Sequence, residues 1–403
     1  MSIAETYKQY VRNALPQDEN DALLVGRVWR PDVSGPAVVM LHEGHAYDIS
    51  SVAATVSTLC EKEDLVSFLT AIKPSLATDD AFADLGPVKD LLENTILSSR
   101  DVQKPWVLSP IDLQSIKAAG VTFATSMLER VIEEKAGGDP AQASNIRAEI
   151  EKQIGGELAA LEPGSDEAAK LKSLLIDQDL WSQYLEVGIG PDAETFTKAQ
   201  ILSSVGSGEE AGVHPMSSWN NPEPEIVLAV TSAGKIIGAT LGNDVNLRDV
   251  EGRSALLLGK AKDNNASCAL GPFIRIFDEQ FTLDTVRTAD VTLRIEGEDG
   301  YVLDGVSSMA QISRDPADIV GQLMGAHHQY PDGVVLFLGT MFAPTQDRGE
   351  TGRGFTHHVG DVVSVSSPAL GQLTNQMNLS TECQPWSFGV RALMENLAKR
   401  DLL

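Results

Sequence analysis

Two glutamates separated by a single proline open an apolar run of the chain, Asn221-Pro-Glu223-Pro-Glu225-Ile-Val-Leu-Ala-Val230. Because residues two apart in a strand point to the same face, we expect Glu223 and Glu225 to lie side by side. Adjacent carboxylates repel each other strongly unless a cation or a proton lies between them. Pro224 has no N–H to donate, which suits the start of a strand that is open to a ligand.

A third carboxylate, Asp244, follows the strand-like run Ile236–Leu241. A hairpin would return it to the neighbourhood of Glu223 and Glu225. Three carboxylates without a nearby His or Cys form an all-oxygen site, which favours Mg²⁺, allows Mn²⁺ or Ca²⁺ and disfavours Zn²⁺. The alternative is that these acidic residues decorate a solvated strand of a chain whose formal net charge is −26.

The remaining sequence predicts an α+β fold. Short apolar runs and turns between Leu23 and Leu59 indicate a β-hairpin, and Ser126–Lys135 has the spacing of an amphipathic helix. After Trp181 the pattern is of short strands, and a last helix follows Pro385. We expect a small N-terminal β-containing domain at 1–106 and a second domain at 107–403, with a solvent-exposed helical insertion at about 127–180.

Composition limits the partners of the chain. Its 57 acidic and 31 basic residues repel a phosphate backbone or an anionic bilayer, so we expect no nucleic acid and no membrane partner. The N-terminus lacks a signal-peptide pattern, and no apolar stretch approaches the roughly 20 residues of a membrane helix. Three scattered cysteines do not form a disulfide framework. These features predict a cytoplasmic protein.

Short motifs follow one another in order around the three carboxylates. They are Phe196-Thr-Lys198, the Glu223/Glu225 pair, Asn243-Asp244 with Arg248-Asp249, Ala261-Lys262, Leu270-Gly-Pro272, Gly339-Thr340, Gly360-Asp361 and Leu370–Asn375. This ordered set, over roughly residues 110–380, resembles the metal-site signature of the fumarylacetoacetate hydrolase superfamily. The resemblance implies a β-roll of mixed strands, a small N-terminal domain and a homodimer or homotetramer.

The same resemblance implies a site. Glu223, Glu225 and Asp244 would hold Mg²⁺, which a 2-oxo acid chelates through its carboxylate and keto oxygens. Lys262 falls on the active-site lysine of the family, near the charged end of the substrate. Thr340 falls on the Gly-Thr substrate contact, and Phe123 and Asn265 are further candidates for substrate binding.

One departure from the family pattern bears on the reaction. In the hydrolases a Tyr-x-x-His segment, with Glu three residues past the His, activates water for C–C cleavage. Here the matching stretch has Phe123, then Ser126 in place of the His, and retains Glu129. A serine does not act unaided as a general base. C–C hydrolysis is therefore disfavoured, whereas the metal-dependent half of the chemistry is retained.

Several segments most resemble the 2-keto-3-deoxy-pentonate dehydratases: Phe123–Ser126, the insertion, Lys260–Cys268 and Gln329–Gly333. Those enzymes convert a 2-keto-3-deoxy-pentonate to 2,5-dioxopentanoate, or α-ketoglutarate semialdehyde, in the non-phosphorylative catabolism of xylose and arabinose. An acylpyruvate C–C hydrolase, a 2-oxo acid decarboxylase and a non-catalytic ligand-binding protein are the alternatives.

A mechanism can be written for the dehydratase. Lys262 takes the C3 proton if it is neutral, or holds the substrate carboxylate or enolate if it stays charged. Glu129, protonated and hydrogen-bonded to Ser126, donates a proton to the departing C4 hydroxyl. Each residue also has a plainer interpretation: Ser126 and Glu129 as a capping box, Lys262 as a solvated lysine, Asn265 as a turn residue, and Arg248 with Asp249 as a structural ion pair.

Overall fold

The computed structural model describes residues 2–147, 161–177, 181–349 and 351–403. The helices in these ranges, numbered along the chain, are α1 (Ile3–Arg12), α2 (Val56–Cys60), α3 (Leu65–Ile72), α4 (Val88–Glu93), α5 (Ala124–Lys135), α6 (Asp166–Asp177), α7 (Gln183–Ile189), α8 (Arg248–Glu251), α9 (Leu258–Lys262), α10 (Leu283–Arg287), α11 (Pro316–Leu323) and α12 (Val390–Lys399). A further helical stretch covers 140–147. Within these ranges, no helix combines the length and apolar character that crossing a bilayer would need.

A large mixed sheet forms the centre of the fold. Its strands are β1 (Leu24–Arg30), β2 (Gly35–His42), β3 (His45–Asp48), β4 (Ala83–Pro87), β5 (Trp106–Val107), β6 (Ser115–Ala119), β7 (Thr195–Ala199), β10 (Pro224–Val230), β11 (Ile236–Asp244), β13 (Cys268–Ile276) and β16 (Val334–Phe337). They are ordered β4-β3-β2-β1-β13-β11-β10-β16-β6-β7, with β5 paired to β1. Strands β10, β13 and β16 are buried along their whole length, as expected for continuous apolar runs covered on both faces.

A second sheet packs against the first through a shared apolar core. It contains β8 (Glu210–Val213), β14 (Asp290–Glu296), β15 (Val302–Ser308), β17 (Val362–Ser367) and β18 (Gly371–Leu379), in the order β15-β14-β17-β18-β8. The short strands β9 (Asn220–Asn221) and β12 (Asn246–Leu247) pair with each other. Sheets with mixed pairing and helices around them confirm the predicted α+β class.

The N-terminal region shares the central sheet. The predicted hairpin is confirmed as β1 and β2, which pair antiparallel from Val25 with Met40 to Arg30 with Gly35. Strand β1 also pairs with β13, through Leu24 with Arg275. The boundary expected at residue 106 is therefore not a break in the sheet, since strands from both sides of it are hydrogen-bonded neighbours.

The helical insertion has a core of its own. The amphipathic helix predicted at 126–135 is confirmed as α5, which buries Met127, Val131 and Ile132 completely. They pack with residues from α6 and α7 and with Trp219, which lies outside the insertion. The described helices of the insertion thus cover apolar surface instead of standing free in solvent, contrary to expectation. Parts of the predicted segment, at 148–160 and 178–180, lie outside the described residues.

The β10–β11 hairpin fixes where the chemistry-bearing residues meet. Its register pairs Glu225 with Gly242, which places Asp244 two residues further along β11 and beside Glu223. The N–H of Asp244 donates to the carbonyl of Glu223 at 3.0 Å. Gly242 leaves no room for a side chain, because a Cβ there would overlap the ring of Phe337 and lie 2.6 Å from Val227 Cγ2.

Gly242→Ala should therefore lower the free energy of unfolding by roughly 1–3 kcal/mol, the usual cost of overpacking a dense core. Denaturant unfolding followed by circular dichroism measures it. Gly321→Ala is the matched control, because a Cβ at this position in α11 meets open space. It should stabilise the protein by about 0.5–1 kcal/mol through helix propensity. Equal stability of the two variants would contradict the packing argument.

Candidate metal centre and active site

The three carboxylates predicted to act together do meet. Glu223, Glu225 and Asp244 each offer an oxygen that lies within 4.8 Å of the other two, and all three residues are buried. Glu223 directly precedes β10, Glu225 is in that strand and Asp244 ends β11. The same-face and hairpin geometry expected from the sequence is what brings them together.

Of the three carboxylates, Glu225 has the pKa that is raised most clearly. Its Oε2 accepts the N–H of Gly339 at 2.6 Å. Burial first, and then the neighbouring charges of Asp244 and Glu223, raise its pKa well above the ordinary value of a glutamate. The anionic form of Glu225 therefore needs a cation in contact with it, or else the carboxyl binds a proton.

Two lysines neutralise the other carboxylates. Lys262 Nζ lies 3.0 Å from Asp244 Oδ2 and also contacts Glu223 Oε2, and Lys198 Nζ lies 2.7 Å from Asp244 Oδ1. Burial lowers the pKa of Lys262, but the charges of Asp244 and Glu223 outweigh burial and raise it. For Asp244, burial raises the pKa, but the charges of Lys198 and Lys262 lower it by more, so that the net shift is downward. The ion pairs thus favour the charged form of Lys262.

A small cavity opens onto this cluster. Among the described residues, its walls include the carboxylates of Glu194, Glu223, Glu225, Asp244 and Glu251 but the cationic groups of only Arg130 and Lys262. The parallel strands β6 and β16 end side by side at the cavity. Gly120 and Thr340, which follow these two strands, therefore lie in its wall.

The residues present fit a hard divalent cation. The donor set is made of carboxylate oxygens alone, which suits Mg²⁺ and does not suit a soft metal. The excess of carboxylates over cationic groups leaves negative charge that a divalent ion would offset. Glu225 supplies a ligand whose oxygens contact no lysine or arginine in the described part of the chain.

Arg130 connects the insertion to this centre. It extends from α5 into the cavity wall, where its guanidinium contacts Glu223 and lies 2.6 Å from Glu133 and 3.4 Å from Glu251. Arg130 was not identified from the sequence, because it follows the Ser126-x-x-Glu129 pattern by one residue and looks like a surface charge of an amphipathic helix. Its contact with a candidate metal ligand becomes visible only when α5 is placed beside β10.

Glu194 is the second cavity residue that sequence reasoning missed. Burial, followed by the charge of Glu251, raises its pKa to about 7. Its carboxylate occupies the space where a Cβ would stand at residue 120, which is glycine. A signal was available: Glu194 is two residues before Phe196, the start of a family-like motif, and both residues line the cavity.

The predicted pair of Ser126 with Glu129 is not formed. Ser126 lies in the cavity wall, but its Oγ donates to the carbonyl of Phe123 at 3.0 Å. The capping box is also wrong, since α5 begins at Ala124 with Phe123 as its N-cap and no side chain caps it. Ser126 is therefore inside the first turn of the helix, where it can present its hydroxyl to the cavity.

Glu129 faces arginines instead of the cavity. Both its oxygens accept from Arg147, each at 2.8 Å, and Oε2 also accepts from Arg248 at 3.1 Å. Both oxygens are therefore engaged by arginines outside the cavity wall, and Glu129 is not placed to act on a ligand in the cavity. The expected ion pair of Arg248 with Asp249 is wrong as well. Arg248 pairs with Glu129 and Glu133, while Asp249 accepts from Ser217 at 2.7 Å.

Of the three predicted substrate contacts, only Thr340 lines the cavity. Phe123 is buried in the apolar core and forms a backbone bridge with Ile312. Asn265 Nδ2 donates to the carbonyl oxygens of Ser380 at 3.0 Å and Gln384 at 3.2 Å, so its amide ties down the segment before the last helix. Neither geometry supports a substrate contact.

Residues 226–378 match the family profile described as fumarylacetoacetate (FAA) hydrolase C-terminal. This stretch of the chain is similar to that family domain. The match begins one residue after Glu225 and includes Asp244, Lys262 and Thr340. It covers β11, β13, β16 and most of β10 in the large sheet, and β14, β15, β17 and nearly all of β18 in the second sheet. It leaves the N-terminal strands and the insertion outside.

Two curated relatives share part of the chain. It is 34% identical over 156 residues to 2-dehydro-3-deoxy-D-arabinonate dehydratase of Saccharolobus solfataricus, covering 39% of this chain and 51% of that protein. It is 28% identical over 194 residues to a probable 2-keto-3-deoxyxylonate dehydratase of Haloferax volcanii, covering 48% and 63%. The matches thus span between half and two thirds of the relatives' lengths. Both relatives are named as dehydratases, which are hydro-lyases.

Solved structures share the fold. A 2-keto-3-deoxy-D-arabinonate dehydratase complexed with magnesium and 2,5-dioxopentanoate superposes with a TM-score of 0.56 at 20% identity, over 88% of this chain and 99% of that one. A fumarylacetoacetate hydrolase from Exiguobacterium antarcticum gives 0.51 at 17% identity, over 89% and 100%. These likenesses extend beyond the region matched by the family profile and support the predicted family fold.

Glu225→Gln should distinguish two effects of this carboxylate: its destabilising repulsion in the absence of metal, and its binding of Mg²⁺. Neutralising this buried, unpaired carboxylate removes repulsion, so the variant should melt at a higher temperature than wild type without added metal. Mg²⁺ at 100 times its Kd should stabilise wild type by about 2.7 kcal/mol and leave the variant unchanged. Thermal unfolding with and without MgCl₂ measures both effects.

Glu298→Gln is the control for that experiment, because Glu298 is exposed and lies outside the cavity. It should behave as wild type with and without MgCl₂. Equal stabilisation of the Glu225→Gln variant by Mg²⁺ would show that Glu225 is not a ligand.

Proposed function

We propose that this protein is a metal-dependent dehydratase that removes water from a 2-keto-3-deoxy-pentonate to give 2,5-dioxopentanoate. The observation that carries the proposal is one buried cavity that joins the three-carboxylate cluster and Lys262 to a proton-transfer residue, Glu194. The dehydratase names of the two curated relatives support the reaction class. The absence of a histidine at Ser126 argues against the water-activating dyad of the hydrolases.

Mg²⁺ is the proposed cofactor, held by Glu223, Glu225 and Asp244, with Mn²⁺ or Ca²⁺ as alternatives. When bound, such an ion supplies a Lewis acid that polarises the 2-oxo group and makes the neighbouring C3–H more acidic. The magnesium complex of a protein with the same fold supports this choice.

Lys262 acts in its charged form. Its contacts with Asp244 and Glu223 keep the ammonium protonated, so it binds the carboxylate of the substrate and the oxygen on which negative charge develops. Of the two roles expected for Lys262, this one agrees with its ion pairs, whereas the role of C3 base would require its pKa to fall.

Glu194 carries the proton instead of Glu129. As a carboxylate it takes a proton from C3, and as the resulting acid it gives that proton to the C4 hydroxyl, which leaves as water. A pKa of about 7 makes both forms accessible near neutrality. Moving a proton from C5 to C3 then gives the C4=C5 enol, and transfer of the enol hydroxyl proton to C4 gives the aldehyde. The hydroxyls of Ser126 and Thr340 lie in the same wall, where they can hydrogen-bond the substrate.

Incubation with 2-keto-3-deoxy-pentonate tests the activity directly. We expect MgCl₂-dependent formation of 2,5-dioxopentanoate, measured by mass spectrometry and by an aldehyde-specific hydrazone. Acylpyruvates should give no pyruvate, and 2-oxo acids should release no CO₂. Pyruvate from an acylpyruvate, with no semialdehyde from the pentonate, would instead establish the C–C hydrolase.

Glu194→Gln should reduce kcat by about 10²–10⁴-fold, the usual contribution of general acid–base catalysis. In wild type, kcat/KM should fall about tenfold per pH unit below pH 7, because the free enzyme needs Glu194 ionised, and this dependence should vanish in the variant. Stopped assays across pH 5–9 measure it.

Glu129→Gln provides the comparison. It should lower the free energy of unfolding by roughly 3–5 kcal/mol, the usual cost of breaking a buried ion pair, and should retain the pH dependence of wild type. A larger loss of kcat in a folded Glu129→Gln variant than in Glu194→Gln would return the acid–base role to Glu129.

The same proposal has three further parts: a place in pentose catabolism, a cytoplasmic location, and assembly as a homodimer or homotetramer. Coupling the assay to an aldehyde dehydrogenase and measuring the solution mass by light scattering test the first and last of these.

A further inference from the structure

Glu251 ends helix α8 and is 4% exposed. It lines the same cavity as the carboxylate cluster. Its Oε1 lies 3.4 Å from Arg130 Nε, while its Oε2 has no hydrogen-bond partner among the residues that the structure describes. Leaving a buried carboxylate oxygen without a donor is costly, so a donor is expected to reach it from the cavity.

Arg130 separates Glu251 from the metal centre. One edge of its guanidinium contacts Glu223, and its Nε faces Glu251. The cavity wall therefore presents two sets of groups. The carboxylate cluster with Lys262 suits the 2-oxo acid group. Glu251, on the other side of Arg130, and Glu194 suit hydroxyl groups, because a carboxylate accepts hydrogen bonds.

We infer that Glu251 is a specificity-determining residue that accepts a hydrogen bond from the C5 hydroxyl of the substrate. This inference rests on the proposed function, since that function places the 2-oxo acid at the metal centre and the C4 hydroxyl at Glu194. The next hydroxyl along the chain is then the donor that Glu251 Oε2 lacks. The substrate class is narrowed to 2-keto-3-deoxy acids with a hydroxyl on the carbon beyond the one that loses water.

The electrostatics of Glu194 agree with this arrangement. After burial, the charge of Glu251 contributes most to raising the pKa of Glu194, and both carboxyls line the same cavity. A substrate whose C4 hydroxyl contacts Glu194 would therefore bring its C5 hydroxyl near Glu251.

The test compares 2-keto-3-deoxy-pentonate with 4-hydroxy-2-oxopentanoate, which differs by lacking the C5 hydroxyl. A site built to bind a hydroxyl rejects the analogue that lacks it, because its own polar group is left unpaired. Wild type should prefer the pentonate in kcat/KM by at least 10²-fold. Glu251→Leu should reduce this preference to less than tenfold by losing activity on the pentonate, and Glu251→Gln, which retains an acceptor oxygen, should fall between.

Glu133→Gln is the matched control. Like Glu251, Glu133 is buried and contacts Arg130, in its case at 2.6 Å, but it does not line the cavity. If Glu251 acted only by positioning Arg130, this variant would lose the preference in the same way, and the inference would be overturned. We expect Glu133→Gln to keep the preference of wild type.

Binding measurements separate this inference from the function on which it rests. Calorimetry with Mg²⁺ and pyruvate, which has the 2-oxo acid group and no hydroxylated tail, should give the same Kd for wild type, Glu251→Leu and Glu251→Gln. If wild type neither binds pyruvate nor dehydrates either substrate, the proposed function fails. If wild type is active but Glu251→Leu and Glu251→Gln still prefer the pentonate as strongly as wild type does, only the role of Glu251 fails. The same holds if the two variants bind pyruvate more weakly than wild type, because pyruvate has no hydroxyl for Glu251 to bind.

Discussion

Repulsion among buried carboxylates is the constraint on which the rest of this structure depends. Glu223, Glu225 and Asp244 are held together by the register of one β-hairpin, in a place where water does not screen their charges. Lys198 and Lys262 offset part of that charge, and Arg130 offsets more. What remains is negative charge that a divalent cation would offset.

The insertion belongs to this balance of charge. Helix α5 contributes Arg130 to the cavity, and its Glu129 and Glu133 hold Arg248 at the start of α8. Helix α8 begins four residues after Asp244 and ends at Glu251. The insertion and the candidate metal centre are therefore joined by alternating charges, and helix α5 contributes Arg130 directly to the wall of the site.

Sequence reasoning succeeded where local geometry decides the outcome. The two-residue spacing of Glu223 and Glu225 and the hairpin return of Asp244 follow from the pleat of a strand, and the class of fold follows from the pattern of apolar runs. It failed where a side chain acts across elements. Nothing near Glu129 in the sequence shows that Arg248 will reach it, and nothing near Glu194 shows that burial will hold its pKa near neutrality. Motif positions also misplaced Phe123 and Asn265, because a motif marks a segment and does not say which side chains turn towards the cavity.

The Glu194 carboxylate depends on the absence of a side chain at Gly120. These residues lie on different segments, yet the carboxylate fills the volume that any larger side chain at position 120 would require. A larger side chain at position 120 would therefore displace the Glu194 carboxylate from its present place in the cavity wall. Related sequences that keep the acidic cluster but have a larger residue at position 120 should therefore hold this carboxylate elsewhere, even where the fold is unchanged.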